Sequence, residues 1–497
     1  MPRQHDSRRL AGLLALLVAA PAPGADHFLL VGGGPTPQES QVSIENNVMW
    51  IEAAMTRRSF TSCQTLFASG ASGRPDVVLH SPNDDAVARW LPLARLHGLQ
   101  GPGASIYRPG SVAGGGGAAT AERVGAALRR TLLSLGDGDS LFLVYSGHGS
   151  EEPTDTSRNA LRLWGESRLD VRTFTDILRS APPGATVRYV FPQCHSGAFA
   201  RSIGREPAAP ESGTVATNRC GFFSVADDRI AEGCTPSVDA VDYRDYSTFF
   251  FAALTGRTRT GDAISLDPDT DRDGRVTLLE AHAYAFIEGL STDVPRTTSE
   301  YYLEIWEPWY LRWHTFVEVG LENQYFKLAV RLGERLGLDT ADAARLSRHA
   351  AARRGDVERR IERVEASGRQ LQQEESTIRK ALLQEFEREW PNAIHAHSAA
   401  YARFVESEAR EAIEWLRRNP EFSRLARLQD DIAALEMDAL AFRREAASFD
   451  RVRRAVRLAA ILEHFESVAS DEDRRAYELL RRCESWSPPP AVPGFQR

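Results

Sequence analysis

Between residues 27 and 290, short apolar runs alternate with stretches whose apolar positions recur every three to four residues. HFLLVGGG at 27–34 has the make-up of a buried strand closed by a glycine turn, and SIENNVMWIEAAM at 43–55 repeats its apolar positions at helical spacing. DVVLH at 76–80 reads as a second strand and AERVGAALRRTLLSL at 121–135 as another helix. SLFLVYSGHGS at 140–150 and TVRYVFPQCHSG at 186–197 are further strands, joined by a crossover helix in LDVRTFTDILRSA at 169–181. This alternation predicts an α/β domain over residues 26–300, a three-layer arrangement with a mostly parallel central sheet covered by helices on both faces.

The pattern then changes. After YYLEIWEPWYLRWHTF (301–316), in an aromatic-rich connector expected over 301–330 to pack between domains, the composition shifts to alanine, glutamate and arginine. Leu425, Leu428, Ile432, Leu435, Ala439 and Phe442 keep a 3-4 spacing, and Ile361, Val364, Leu371, Ile378 and Leu382 form a less regular second seam. The expectation for 331–485 is an all-α, coiled-coil-like region built on two long helices packed as a hairpin, with breaks at Pro391 and Asn419-Pro420. Its charge runs read as solvated faces, and the proline-rich stretch within 486–497 as a flexible tail.

At the other end, MPRQHDSRRLAGLLALLVAAPAPGA places arginines before an apolar run from Leu10 to Ala20, followed by small residues and prolines. That order predicts a secretory signal peptide over 1–25, its run too short to span a bilayer, and hence a secreted or periplasmic protein without a membrane span. The net charge of -8 is modest for 497 residues, and the arginines lie among acidic residues rather than in basic blocks, which argues against a nucleic-acid partner.

Export changes how the five cysteines are read, because an oxidising compartment pairs structural thiols and an odd count leaves at least one apart. Cys194 is the candidate for the unpaired one. Cys220 and Cys234 are close enough to close a short loop, and Cys63 and Cys483 pair only if the chain ends meet. The sequence does not choose between these bridges and unpaired buried cysteines.

Ligands of open α/β sheets bind beyond the carboxyl ends of parallel strands, where two of the strands read above end in His148 and Cys194. Their separation of 46 positions holds a right-handed crossover, so neighbouring strands would deliver imidazole and thiol to one cleft. A base beside a thiol, with the backbone N–H groups of Gly149 and Cys194 as an oxyanion hole, suits acyl transfer and peptide hydrolysis in particular. Such a site calls for a low-pKa cysteine that reacts quickly with iodoacetamide. His195 reads as outward-pointing or structural, and a zinc site from His148, Cys194 and His195 lacks a fourth ligand.

Strands ending YSGHGS and CHSG, followed by FFSVADDRIAEG (222–233) and STFFFAAL (247–254), resemble the caspase-like cysteine peptidases. The likeness is strongest to bacterial caspase-family and metacaspase members, extends more distantly to legumain, and covers about residues 27–300. It implies a caspase-like fold, a His148/Cys194 dyad with Gly149 as oxyanion contributor, Ser146 in the primary substrate pocket, and a protein or peptide substrate. Metacaspases that cut after Arg or Lys carry an aspartate two residues before the cysteine, where this chain has Pro192, and an Asn-Asp pair where it has Asn46 and Asn47. The acidic pocket is therefore depleted, with Asp227 and Asp228 as candidates to restore its charge. The competing expectation is a catalytically silent relative that binds a protein partner through the C-terminal helices.

DTDRDGRVTLLE at 269–280 adds a cofactor to the picture. Asp269, Asp271 and Asp273 hold positions 1, 3 and 5 of an EF-hand loop, Gly274 position 6, Val276 position 8 and Glu280 position 12. The Arg275 carbonyl and Thr277 complete the expected Ca2+ ligand set. A helix leaves the loop in LLEAHAYAFIEGL, but residues 257–268 carry no helical pattern before it, so a lone calcium loop is expected.

Overall fold

The computed structural model describes residues 24–81, 85–98, 104–112, 116–204, 215–233, 239, 242–312, 318–395 and 398–492. Most of the expected signal peptide, and Cys234, lie outside them. In chain order the first half runs β1 (Asp26–Gly33), α1 (Val42–Met55), β2 (Ser62–Phe67), β3 (Val77–Ser81), α2 (Asp85–Leu96), β4 (Ala104–Arg108), α3 (Ala121–Ser134) and β5 (Ser140–Ser150). It continues with β6 (Ala160–Leu163), β7 (Ser167–Asp170), α4 (Val171–Leu178), β8 (Thr186–Phe191), β9 (Arg219–Phe223), α5 (Tyr246–Thr255), α6 (Leu278–Glu288), β10 (Arg296–Thr297) and α7 (Thr298–Trp306).

The central sheet has the order β10-β9-β8-β5-β1-β2, parallel throughout except for β10. Side-chain alternation along the strands sorts the core into two layers. Leu141, Leu143, Tyr145, Val187, Tyr189 and Phe191 face α3 and α4, while Phe142, Val144, Val190 and Phe222 face α1, α5 and α6. The expected α/β architecture is thus present, with one strand misplaced. The neighbour of β1 is SCQTLF, not DVVLH; the latter is β3, which pairs antiparallel with β4 in a separate two-stranded sheet. Ion pairing of Arg108 with the buried Glu45 on α1 holds that small sheet in place.

The C-terminal region is helical as expected: α8 (Gln324–Arg335), α9 (Ala343–Glu389), α10 (Ala399–Arg403), α11 (Ala409–Arg418), α12 (Pro420–Val468) and α13 (Asp471–Glu484). Helices α9 and α12 form an antiparallel hairpin, shown by the descending pairs Arg424–Glu374, Arg443–Glu365, Arg360–Glu445 and Arg354–Asp450. Asn419 caps α12 through its side chain, with Pro420 at the first helical position where a missing N–H is harmless. Ile361, Ile378 and Leu382 are buried with Leu425, Leu428, Ile432 and Ala439.

Three expectations need correction. The disulfide is Cys220–Cys483, joining β9 to α13, with Cys63 and Cys194 free; neither expected pairing forms, because α13 packs onto the sheet beside β9 while Cys63 sits exposed on the opposite edge strand. Residues 486–492 do not trail as a tail. Trp486 packs against Phe60 and Phe142, Arg188 stacks on its ring, and Ala491 bridges to Arg58. Nor are all the charge runs solvated. On one face of α12, Arg444 binds Glu232, Arg451 the carbonyls of Phe286 and Gly289, Arg454 both Glu300 and Glu304, and Arg457 Glu307. Among the described residues no helix is long and apolar enough to cross a membrane.

Candidate active site

Register brings the two strand ends together. β5 and β8 pair from Ser140↔Thr186 to Val144↔Val190, and His148 and Cys194 each lie four residues beyond that last pair. Past it the strands part. Pro192 cannot donate to a ladder, so β8 stops at Phe191, while β5 runs on to pair His148 with Arg162 of β6. Binding sites of parallel sheets lie beyond such strand ends. At Gly149 the strands touch again: a Cβ there would lie 1.9 Å from the Cys194 carbonyl oxygen, so only glycine fits.

His148 is oriented from the β1 side. Its Nε2 lies 2.8 Å from the Glu39 carbonyl and 2.9 Å from Gln41 Oε1. A carbonyl only accepts, so Nε2 carries the proton and Nδ1 of the neutral ring is left as the basic nitrogen. Burial lowers the His148 pKa, the Glu39 hydrogen bond and charge oppose this, and the Arg162 guanidinium lowers it further. Glu39 and Arg162 are themselves paired, bracketing the ring.

The thiol departs from expectation. Burial, the largest cause, and the nearby Asp293 charge push the Cys194 pKa up, not down, and Sγ lies 3.7 Å from the Ala231 carbonyl oxygen. Backbone hydrogen bonds at Ala231 and at its own N–H work the other way without reversing the shift, which runs against the expected low-pKa thiol. Asp293 is buried, accepts the N–H groups of Glu232 and Tyr246, and has its own pKa pushed up to about 7, mainly by burial. Next to Cys194, Gln193 is buried with neither amide atom partnered. His195 is structural: in the left-handed region at φ 58°, it donates its N–H to the Arg229 carbonyl and sets Nδ1 3.2 Å from the Asp227 carbonyl.

The remaining expected site residues fall in three places. Ser146 and Asn47 are buried where α1 covers the ends of β1 and β5, with Asn47 Oδ1 unpartnered. Asp227 pairs with Arg201 at 3.7 Å, its carbonyl accepting from Asn159, and Asp228 is exposed. The 269–280 loop leads into α6 and is exposed over 270–275. Arg272 (φ 61°) and Gly274 (φ 82°) turn the chain, Gly274 donates to Asp269, and the Asp269, Asp271 and Asp273 carboxylates gather within 4.8 Å. The Asp273 N–H holds the Asp271 pKa down, but burial and the Asp273, Glu280 and Asp269 charges together raise it. Asp269 Oδ1 is buried without a partner, whereas both Glu280 oxygens are engaged by Thr270 and by Thr277, whose capping box starts α6.

Sequence reasoning missed Glu39, Gln41 and Ala231, which contact the dyad through a loop and through backbone carbonyls. Glu39 and Ala231 act through an atom every residue has, so their identity carries no signal.

No protein-family model and no curated protein matches the sequence. Among solved structures, the crystal structure of a structural-genomics target protein from Geobacter sulfurreducens aligns with 55% of this chain and 92% of its own at 14% identity, with a TM-score of 0.33.

Proposed function

We propose that the chain is a caspase-like cysteine endopeptidase, with Cys194 as nucleophile and His148 as general base. One observation carries the reading: beyond the last shared pair of two adjacent parallel strands, the imidazole and the thiol each follow after four residues, with His148 Nε2 committed to the Glu39 carbonyl so that Nδ1 is the basic atom. In the proposed reaction Nδ1 takes the Sγ proton as sulfur bonds to the scissile carbonyl carbon. The C–N bond then breaks and the amine leaves with that proton, giving a thioester on Cys194. Water, giving a proton to the same nitrogen, hydrolyses the thioester and the proton returns to sulfur. The N–H groups of Gly149 and Cys194 are the proposed oxyanion donors. Because both pKa shifts favour neutral forms, the base must act during attack rather than keep a standing thiolate.

The substrate pocket is assigned to Ser146 and Asn47; Asp227, tied to Arg201, is given a structural role, so a preference for basic residues does not follow. The 269–280 loop fits Ca2+ through Asp269, Asp271, Asp273, the Arg275 carbonyl and Thr277, with Glu280 joining once it leaves its cap; the ion would brace the start of α6. The disulfide agrees with a secreted or periplasmic location. A second reading, a silent relative acting as a binding module, draws on the capped, raised-pKa sulfur. Digestion of a peptide library by the full chain decides between them. Cleavage abolished by both Cys194→Ala and His148→Ala supports the peptidase; no cleavage by the wild type, with and without calcium, supports the silent module.

A further inference from the structure

The carbonyl that meets the Cys194 sulfur belongs to a segment gripped by the C-terminal hairpin. Ala231 is followed by Glu232, whose carboxylate takes Arg444 Nε (2.9 and 3.2 Å) and Nη2 from α12 and, on one oxygen, the Thr292 N–H (2.9 Å). The Glu232 N–H is held in turn by Asp293 at 2.9 Å. Glu232 and Arg444 side chains are only 16% and 25% exposed, so this two-pronged pair is shielded from solvent.

Nearer its start, helix α12 also meets α2. Arg95 of α2 binds the Ala426 carbonyl and Asp430, and Gln429 returns a bond to the Arg95 carbonyl. α2 follows β3, whose Val78 N–H is held by the Ser40 carbonyl, one residue before the Gln41 that meets His148. α12 thus holds the segment whose carbonyl meets the sulfur, and separately holds α2.

We propose that α12 is a strap that keeps the candidate nucleophile capped, with the Arg444–Glu232 pair as its latch: while the latch is closed Ala231 covers Cys194, and releasing it uncovers the sulfur. The inference rests on the reading of Cys194 as nucleophile for its regulatory meaning. Its mechanics concern the thiol alone.

The test is iodoacetamide alkylation of the full-length protein with the disulfide intact, followed by mass spectrometry, with exposed Cys63 as internal reference. Glu232→Gln and Arg444→Ala should each raise the Cys194 rate relative to Cys63 on the order of tenfold, as local opening replaces a held contact. The double variant should add nothing beyond either single change, since both remove one interaction. An unchanged Cys194 to Cys63 ratio in Glu232→Gln, which keeps size and shape, overturns the proposal, including where Arg444→Ala unfolds and exposes every thiol. Peptide cleavage by the same variants separates the two readings. Faster alkylation with no cleavage leaves the latch standing and removes the peptidase, while cleavage with unchanged alkylation does the reverse.

Discussion

Replacing Cys483 by serine should destabilise this protein more than a change at either free cysteine, Cys63 or Cys194. The Cys220–Cys483 bridge closes a loop of 263 residues. In the chain-entropy model that removes about 19 cal/mol/K from the unfolded ensemble, or about 5.6 kcal/mol at 25 °C. Measured bridges fall short of this limit, so a loss of about 3–5 kcal/mol is expected. With about 2.1 cal/mol/K of unfolding entropy per residue over roughly 430 described residues, this corresponds to a Tm drop on the order of 4 °C. The other α13 anchors remain in the variant, since Arg188 binds the Cys483 carbonyl and Glu484 takes Thr298 and Ser299 through groups that serine leaves in place. Scanning calorimetry of wild type, Cys483→Ser, Cys220→Ser and Cys63→Ser measures the effect, with the double Cys220/Cys483 variant matching either single one. A Cys483→Ser protein within 1 °C of wild type, or mass spectrometry finding both cysteines reduced in wild-type protein folded under oxidising conditions, would refute the reasoning.

Three further outcomes are expected. Gly149→Ala places a methyl 1.9 Å from the Cys194 carbonyl oxygen, so a strand end must shift by more than 1 Å; peptide cleavage should fall about 100-fold with the sheet intact by circular dichroism, and unchanged kcat/KM would contradict the close approach. Millimolar calcium should raise Tm by about 1–3 °C over chelator, from about 1.4–2.7 kcal/mol of binding at 10–100 times Kd, and Asp271→Asn should abolish the difference; equal Tm values in calcium and chelator would remove the ion. Glu300, despite burial that works to raise its pKa, is held down to about 2 by Arg454 and His282 against an ordinary 4.5. Its depressed pKa gives stability that is full above about 4.5 and lost as pH falls toward 2, so Glu300→Gln should flatten the acid limb of a urea-midpoint versus pH curve; an unaltered limb would exclude Glu300 as a contributor.

The parallel pairing of the strands that lead to His148 and Cys194 was legible because each is a dense apolar run and a crossover helix lies between them. The strand SCQTLF was not, since its first half is polar and exposed at the sheet edge, whereas DVVLH has strand composition but pairs elsewhere. The hairpin seams followed from spacing. Their docking did not: Arg444, Arg451, Arg454 and Arg457 look like solvated charges until their carboxylate and carbonyl partners arrive from residues more than 140 positions away. The raised Cys194 pKa was equally hidden, since it depends on burial and on Asp293, a neighbour only in space.

The Cys220–Cys483 bridge also orders events during synthesis. Cys220 lies in a strand flanked by β8 and β10, yet its partner emerges from the ribosome 263 residues later. Until α13 arrives, a sulfur waits at the heart of a nearly finished domain, and a chain halted near residue 470 would carry an unmated core thiol where the complete one has a bridge.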